Sequence, residues 1–269
     1  MIIGRTILVA LASATAAVGA VQAADYGPVY SGMLESAPEL RPVEIGNGWY
    51  LRGDVGYEVE TDYDGSLTAF SPFASASVPF QSLNLDDGFS GGAGVGYRFT
   101  EYLRADLTAR YGRHDVSGSL RLPDLACFAD SLCDGTVSAK ARTWDLMANA
   151  YVDLGTFAGF TPYVGGGLGA VNVDYGDISA NGCVTFAGSV ECEPEGFEGA
   201  DAWRFAYNLQ AGVAYHFNRS LALDVGYRYL NVDGGSISSG EFEPGFTFAA
   251  DDDGYDRHTI TAGLRYSLW

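Results

Sequence analysis

The chain has 269 residues, of which 34 are acidic and 15 basic, for a formal net charge of −19. That balance argues against a nucleic-acid partner, since phosphate backbones are held by clustered Lys and Arg. Glycine, at 36 residues, is well above the ~7% of average chains, and with 17 Tyr and 15 Phe it gives a β-rich profile in one large domain or two ordinary ones.

Residues 1–23 read as a secretory signal peptide. MIIGR carries the positive charge, TILVALASATAAVGAV is the apolar stretch, and VQA-AD offers small residues for cleavage after Ala23. The apolar stretch, at about 16 residues, is short for the ~20 of a spanning helix. Residues 24–47 contain Pro28, Pro38 and Pro42 without periodicity, and are expected to form an extended periplasmic leader.

From residue 48 to 269 a single pattern recurs. WYLRGDVGYEV (49–59) sets Trp49, Leu51, Val55 and Tyr57 against Arg52, Asp54, Gly56 and Glu58. FSGGAGVGYRF (89–99) and LRADLTARYG (103–112) follow the same period of two, with Arg98, Arg104, Asp106 and Arg110 on the polar side. WDLMANAYVDL (144–154) carries Asp145 and Asp153 on its polar face, and TPYVGGGLGAV (161–171) is too glycine-rich to fix its phase. WRFAYNLQAGVAYHF (203–217) alternates Trp203, Phe205 and Leu209 with Arg204, Asn208 and Gln210. LALDVGYRYL (221–230) places Asp224 and Arg228 opposite Val225 and Tyr227, and HTITAGLRYSLW (258–269) places Arg265 opposite Leu264 and Tyr266. These are eight predicted strands of about ten residues each.

Two features separate a membrane barrel from a soluble one. The connections switch between long (60–88, 117–136, 176–200, 233–254) and tight (100–102, 155–160, 218–220), the asymmetry of outer-membrane barrels. The polar face also carries full charges at mid-strand: Arg52, Arg98, Arg104, Arg110, Arg204, Arg228 and Arg265 against Asp54, Glu58, Asp106, Asp145, Asp153 and Asp224. Lipid would take the apolar face, and the charges would fill a narrow lumen as a paired network. Aromatics cluster at the strand ends, where the membrane interfaces would lie.

With the signal, the eight strands and phrases such as GGAGVGYRF, LDVGYRY and HTITAGLRYSLW, the chain resembles the eight-stranded outer-membrane barrels, namely the OmpA-like transmembrane domain and the porin-like surface antigens of alphaproteobacteria. The resemblance implies an all-β, eight-stranded antiparallel up-and-down transmembrane barrel with four long external loops. It also implies contact with outer-membrane lipid and lipopolysaccharide, and recognition of the aromatic C-terminal segment by the barrel-assembly machinery. Tyr266 and Leu268 keep the lipid-facing phase of that segment and Trp269 departs from it. No peptidoglycan-binding domain is expected after the eighth strand.

Four cysteines allow three pairings. Cys127 and Cys133 fall in one predicted loop and Cys183 and Cys192 in another, which favours local disulfides 127–133 and 183–192 in an oxidising compartment. Three histidines, His114, His216 and His258, form no convergent catalytic cluster. No enzyme activity, cofactor or metal is therefore expected. The acidic excess sits in the predicted loops. Residues 60–88 hold Glu60, Asp62, Asp64, Asp86 and Asp87. Residues 176–201 hold Asp177, Glu191, Glu193, Glu195, Glu198 and Asp201, and 233–256 hold Asp233, Glu241, Glu243, Asp251, Asp252, Asp253 and Asp256, all without a Lys or Arg. Solubility of the cell surface explains them, and divalent cations or host surfaces are the sharper candidates. The expected function is a surface barrel serving envelope integrity and display for antigenicity or adhesion. The alternative is a narrow diffusion channel for small solutes.

Overall fold

Period-two alternation demands strands, and the computed structural model, which describes residues 48–122, 133–186 and 189–268, contains strands and turns but no helix. In chain order these are β1 (Gly48–Val59), β2 (Thr61–Asp62), β3 (Gly65–Phe70), β4 (Ser75–Pro79), β5 (Ser82–Leu85), β6 (Gly88–Arg98) and β7 (Leu103–Leu122). There follow β8 (Cys133–Asp153), β9 (Phe160–Tyr175), β10 (Ile178–Phe186), β11 (Ser189–Phe197), β12 (Asp201–His216), β13 (Leu221–Glu243) and β14 (Phe246–Ser267). The signal peptide and leader expected over 1–47 lie outside the described residues, as does Cys127.

Eight of these strands close a ring. Antiparallel pairing runs β1–β6–β7–β8–β9–β12–β13–β14 and returns from β14 to β1. The closure matters because hydrocarbon offers no partner to an open sheet edge. First and last wall strands meet at the tight-turn end, where Leu268 N–H donates to the Trp49 carbonyl at 2.9 Å.

The tight turns are built from local chemistry. Between β6 and β7, Thr100 Oγ1 accepts from the Tyr102 and Leu103 N–H groups at 3.2 and 3.0 Å. Between β12 and β13, Asn218 Oδ1 accepts from Ser220 and Leu221 at 2.8 and 2.9 Å, the side-chain mimicry of a backbone turn that Asn favours. The β8–β9 turn uses Gly155 and Gly159 at φ of 100° and 86°, a region closed to most side chains.

The long connections differ from expectation. The described residues 117–122 and 133–136 are strand, as is most of 233–254: β7 and β8 stay paired to Leu122 and Cys133, and β13 and β14 to Glu243 and Phe246. Residues 178–186 and 189–197 pair as β10 and β11, which extend the sheet from β8. Residues 60–88 hold four short strands, of which β3 pairs with β14 and β5 with β7. The wall strands thus reach 23 residues in β13 rather than about ten, which at ~3.4 Å per residue is far more than a bilayer core needs.

Phase is uniform around the wall. Leu107, Leu146, Leu168, Leu209, Val225 and Ile260 project outward and are exposed, whereas Arg104, Asp145, Asn208, Arg228 and Thr259 are buried inside. The undetermined phase of β9 is settled by its pairing: Val171 stands opposite Arg204 and inward, with Gly165, Gly167 and Gly169 on the same face. Those glycines admit the large side chains of β8. A Cβ on Gly165 would strike the Tyr151 ring, and one on Gly169 would sit 2.7 Å from the Met147 sulfur.

Beyond the membrane-width band the polarity of the two faces inverts; the inward phase continues along β9 and along β13 to Val232, and in β14 it slips by one residue at Gly254. On β13 the inward residues run from Asp224 and Arg228 to Leu230 and Val232, both at most 1% exposed. On β9 they run to Val171, Val173 and Tyr175, and with Ala206, Ile178, Ile237, Ala250 and Tyr255 they form one apolar cluster. Tyr63, Leu83 and Leu85 from the β1–β6 connection join it, with Leu67 and Phe80 packed against them. The reason is the change of outer solvent. Where lipid surrounds the wall the interior must take the polar groups, and where water surrounds it the interior becomes an ordinary hydrophobic core.

Candidate functional site in the barrel interior

The interior has three polar layers, the outermost of which is set within the apolar cluster. At the tight-turn end, Arg98 closes β6 and Arg104 opens β7, and the two stand directly opposite one another in register. Asp153 on β8 lies 3.0 Å from Arg104 Nε and 3.8 Å from Arg98 Nη2. Arg265 on β14 lies 3.5 Å from Asp224 on β13. The Arg104 guanidinium also stacks over Tyr151 and Tyr163, 3.9 and 4.7 Å from the ring centres.

The middle layer converges on Asp106. Its carboxylate accepts from Tyr50 and Arg52 at 3.1 Å, from Asn149 at 2.9 Å and from Tyr151 at 3.3 Å. Arg52 also donates to Asp54 at 3.2 Å, and Arg110 closes on the other Asp54 oxygen. Asn208 and Gln210, from β12 across the lumen, donate to Asn149 at 2.8 and 3.1 Å. Arg228 sends two N–H groups to Asp145, each at 3.0 Å.

At the outer layer, Glu58 on β1 lies 3.0 Å from Arg257 Nη1 and 2.9 Å from His114 Nε2. Arg204 holds Asp252 through both carboxylate oxygens at 2.8 and 2.7 Å, and Tyr175 and the Gly254 N–H complete the cage at 3.3 and 3.0 Å. Burial pushes the Asp252 carboxyl up from its ordinary range while Arg204 draws it back, and burial likewise raises the Tyr63 hydroxyl beside it.

Every residue of the anticipated charge set, Arg52, Asp54, Arg98, Arg104, Asp106, Arg110, Asp145, Asp153, Arg204, Asp224, Arg228 and Arg265, therefore lies inside the wall within ion-pair distance of an opposite charge. Three further participants lie outside the anticipated set. Asp252, counted among the free surface carboxylates, is only 4% exposed, because the strand pairing of β14 carries it inward. His114 and Arg257, which lie just beyond the ends of the predicted strands 103–112 and 258–269, are both buried. A period-two count continued past the predicted strand ends would have found His114 and Arg257, but not Asp252, because the inward phase of β14 slips by one residue at Gly254 (φ 94°). Arg204 serves Asp252.

Among the described residues no group of three or more His, Cys, Asp or Glu is arranged to hold a metal. Cys183 and Cys192 are backbone register partners on β10 and β11.

The sequence profile of the outer membrane protein beta-barrel domain family matches residues 6–267. An uncharacterised protein of Brucella suis biovar 1 is 36% identical over 245 residues, spanning 82% of this chain and 85% of its own. A Rickettsia felis protein provisionally named an adhesin is 25% identical over 227 residues, 84% of this chain and 90% of its own. Among solved structures, the outer membrane protein OprG of Pseudomonas aeruginosa aligns with a TM-score of 0.48 at 17% identity, over 83% of this chain and 98% of that one.

Proposed function

Because the chain belongs to the outer membrane protein beta-barrel domain family, we propose that it is a non-enzymatic surface barrel. It reinforces the outer membrane and presents its acidic, β-structured external hairpins as an antigenic or adhesive surface. The observation that carries this reading is the apolar cap over the lumen: Tyr63, Leu83, Leu85, Val116, Tyr175 and Ile178 pack across the outer mouth, each at most 7% exposed. A diffusion channel needs a wetted mouth, and an apolar cluster of this density excludes water. The provisional adhesin name carried by the Rickettsia felis relative supports the adhesive arm.

The accessory assignments follow from the same reading. Residues 1–23 are removed as a signal peptide and 24–47 remain periplasmic, ahead of the barrel domain at 48–269. Disulfides join Cys127 to Cys133 and Cys183 to Cys192. The aromatic end of β14 engages the assembly machinery, and lipopolysaccharide packs on the outer wall. Exposed carboxylates such as Asp62, Asp233 and Asp253 meet host surfaces or divalent cations.

Planar-bilayer recording of the purified barrel is expected to show no steady conductance. A reproducible unitary current would replace this reading with the narrow channel. Adherence to host cells should be gained by a non-adherent bacterium displaying the protein and lost when β10–β11 is exchanged for a short turn. Unchanged adherence after the exchange would remove that hairpin from the adhesive surface.

A further inference from the structure

The tight-turn end of the lumen holds more cation than anion. Arg98 and Arg104 form a like-charge cross-strand pair, an arrangement that destabilises a sheet unless something neutralises it. Arg265 completes a group of three guanidiniums, each at most 2% exposed. Among the described residues two carboxylates serve them, Asp153 and Asp224. Arg98 Nε and Nη1 and Arg265 Nη1 and Nη2 are buried without a hydrogen-bond partner, and so is His216 Nε2. His216 stands at the level of Arg265, because both are register partners of Ala222.

We propose that this end of the lumen binds one small oxyanion of the phosphate class. The free edges of Arg98 and Arg265 supply planar N–H forks, which match the paired oxygens of an oxyanion and are stronger than neutral donors. Water could satisfy the donors, but it cannot cancel the surplus positive charge. One bound anion does both, turning three cations against two carboxylates into a balanced set. His216 Nε2, if it carries its proton, adds a further donor on the β12 side. The site is separate from the acidic outer surface, and it would tie the barrel's resistance to unfolding to the anion content of the compartment at its inner mouth.

The test uses the barrel refolded in detergent in chloride buffer, with inorganic phosphate as the probe. Equilibrium dialysis with labelled phosphate should show saturable uptake approaching one equivalent. The urea midpoint of the folded-to-unfolded gel shift should rise with phosphate and not with sodium chloride of equal ionic strength, since a ligand that binds only the native state stabilises it. Arg98→Gln and Arg265→Gln should each weaken uptake at least tenfold. Arg142→Gln, which removes a half-exposed guanidinium pairing with Asp174 far from this layer, should leave it unchanged. Arg98→Lys keeps the charge and the fold but loses the fork, and should bind weakly. No saturable uptake by the unaltered barrel, undiminished uptake in both Gln variants, or equal protection by chloride would overturn the proposal.

Discussion

Asp145 receives both of its guanidinium contacts from one residue, Arg228, and both partners are buried. Removing one side of such a pair strands a charge, which typically costs about 3–5 kcal/mol. Asp145→Ala should therefore lower the urea midpoint of the gel shift sharply, and the double variant with Arg228→Ala should recover part of the loss. Strict additivity would mean that water already serves both groups. Glycine gives a second contrast at this scale. A Cβ on Gly96 would fall on the Tyr50 ring and lie 2.7 Å from the Ala105 carbonyl, whereas one on Gly91 meets nothing within 4 Å. Gly96→Ala is expected to destabilise the barrel and Gly91→Ala to be tolerated, as the same refolding assay would show.

Along a single strand, chemistry is read by face and by height. Leu209 is exposed to the lipid side and Gln210 looks into the lumen, so Leu209→Arg should cost about 2–4 kcal/mol near the membrane midplane while Gln210→Leu costs much less. Equal assembly yields of the two variants would invalidate the face assignment. The wall segments were legible from alternation alone because lipid outside and charge inside give the strongest period-two contrast available. The extensions were not. In β13, NVDGGSISSGEFE mixes Gly, Ser and Glu, and turn-like composition concealed continued pairing through a bulge between Ser236 and Ser238. Inversion of polarity removed the remaining signal, since Leu230 and Val232 occupy the phase held by Arg228 lower down. This inversion has its own test. Val232→Thr, nearly isosteric, should cost roughly 1–3 kcal/mol if the cap is dry, whereas a solvated loop would register no change in the urea midpoint.

Taken whole, the molecule sorts its charge by compartment. The basic residues of the wall are largely committed to lumen carboxylates, so most of the net charge of −19 is carried by the external strands and hairpins. The members of the lumen set could be named from sequence because inward phase and charge coincide. Their partners could not, because which strands meet at a given height depends on register, a property of the closed ring. Asp54, for example, is shared by Arg52 on its own strand and Arg110 two strands away.

The hydrogen bond from Leu268 to Trp49 joins positions more than two hundred residues apart, and it places the start of β1 beside the end of β14. The barrel therefore has no intrinsic beginning. A short linker from 268 to 48, with new termini opened in the turn at 155–159, preserves every strand pairing of the wall, and chains whose ends lie close together tolerate such circular permutation. The permuted barrel should refold in detergent to the same heat-modifiable form, only with altered kinetics, because the β1–β14 seam changes from the most distant contact in the sequence to a local hairpin. Failure of the permutant to refold, with the linker length varied, would mean that the order in which strands are delivered is itself part of the folding information.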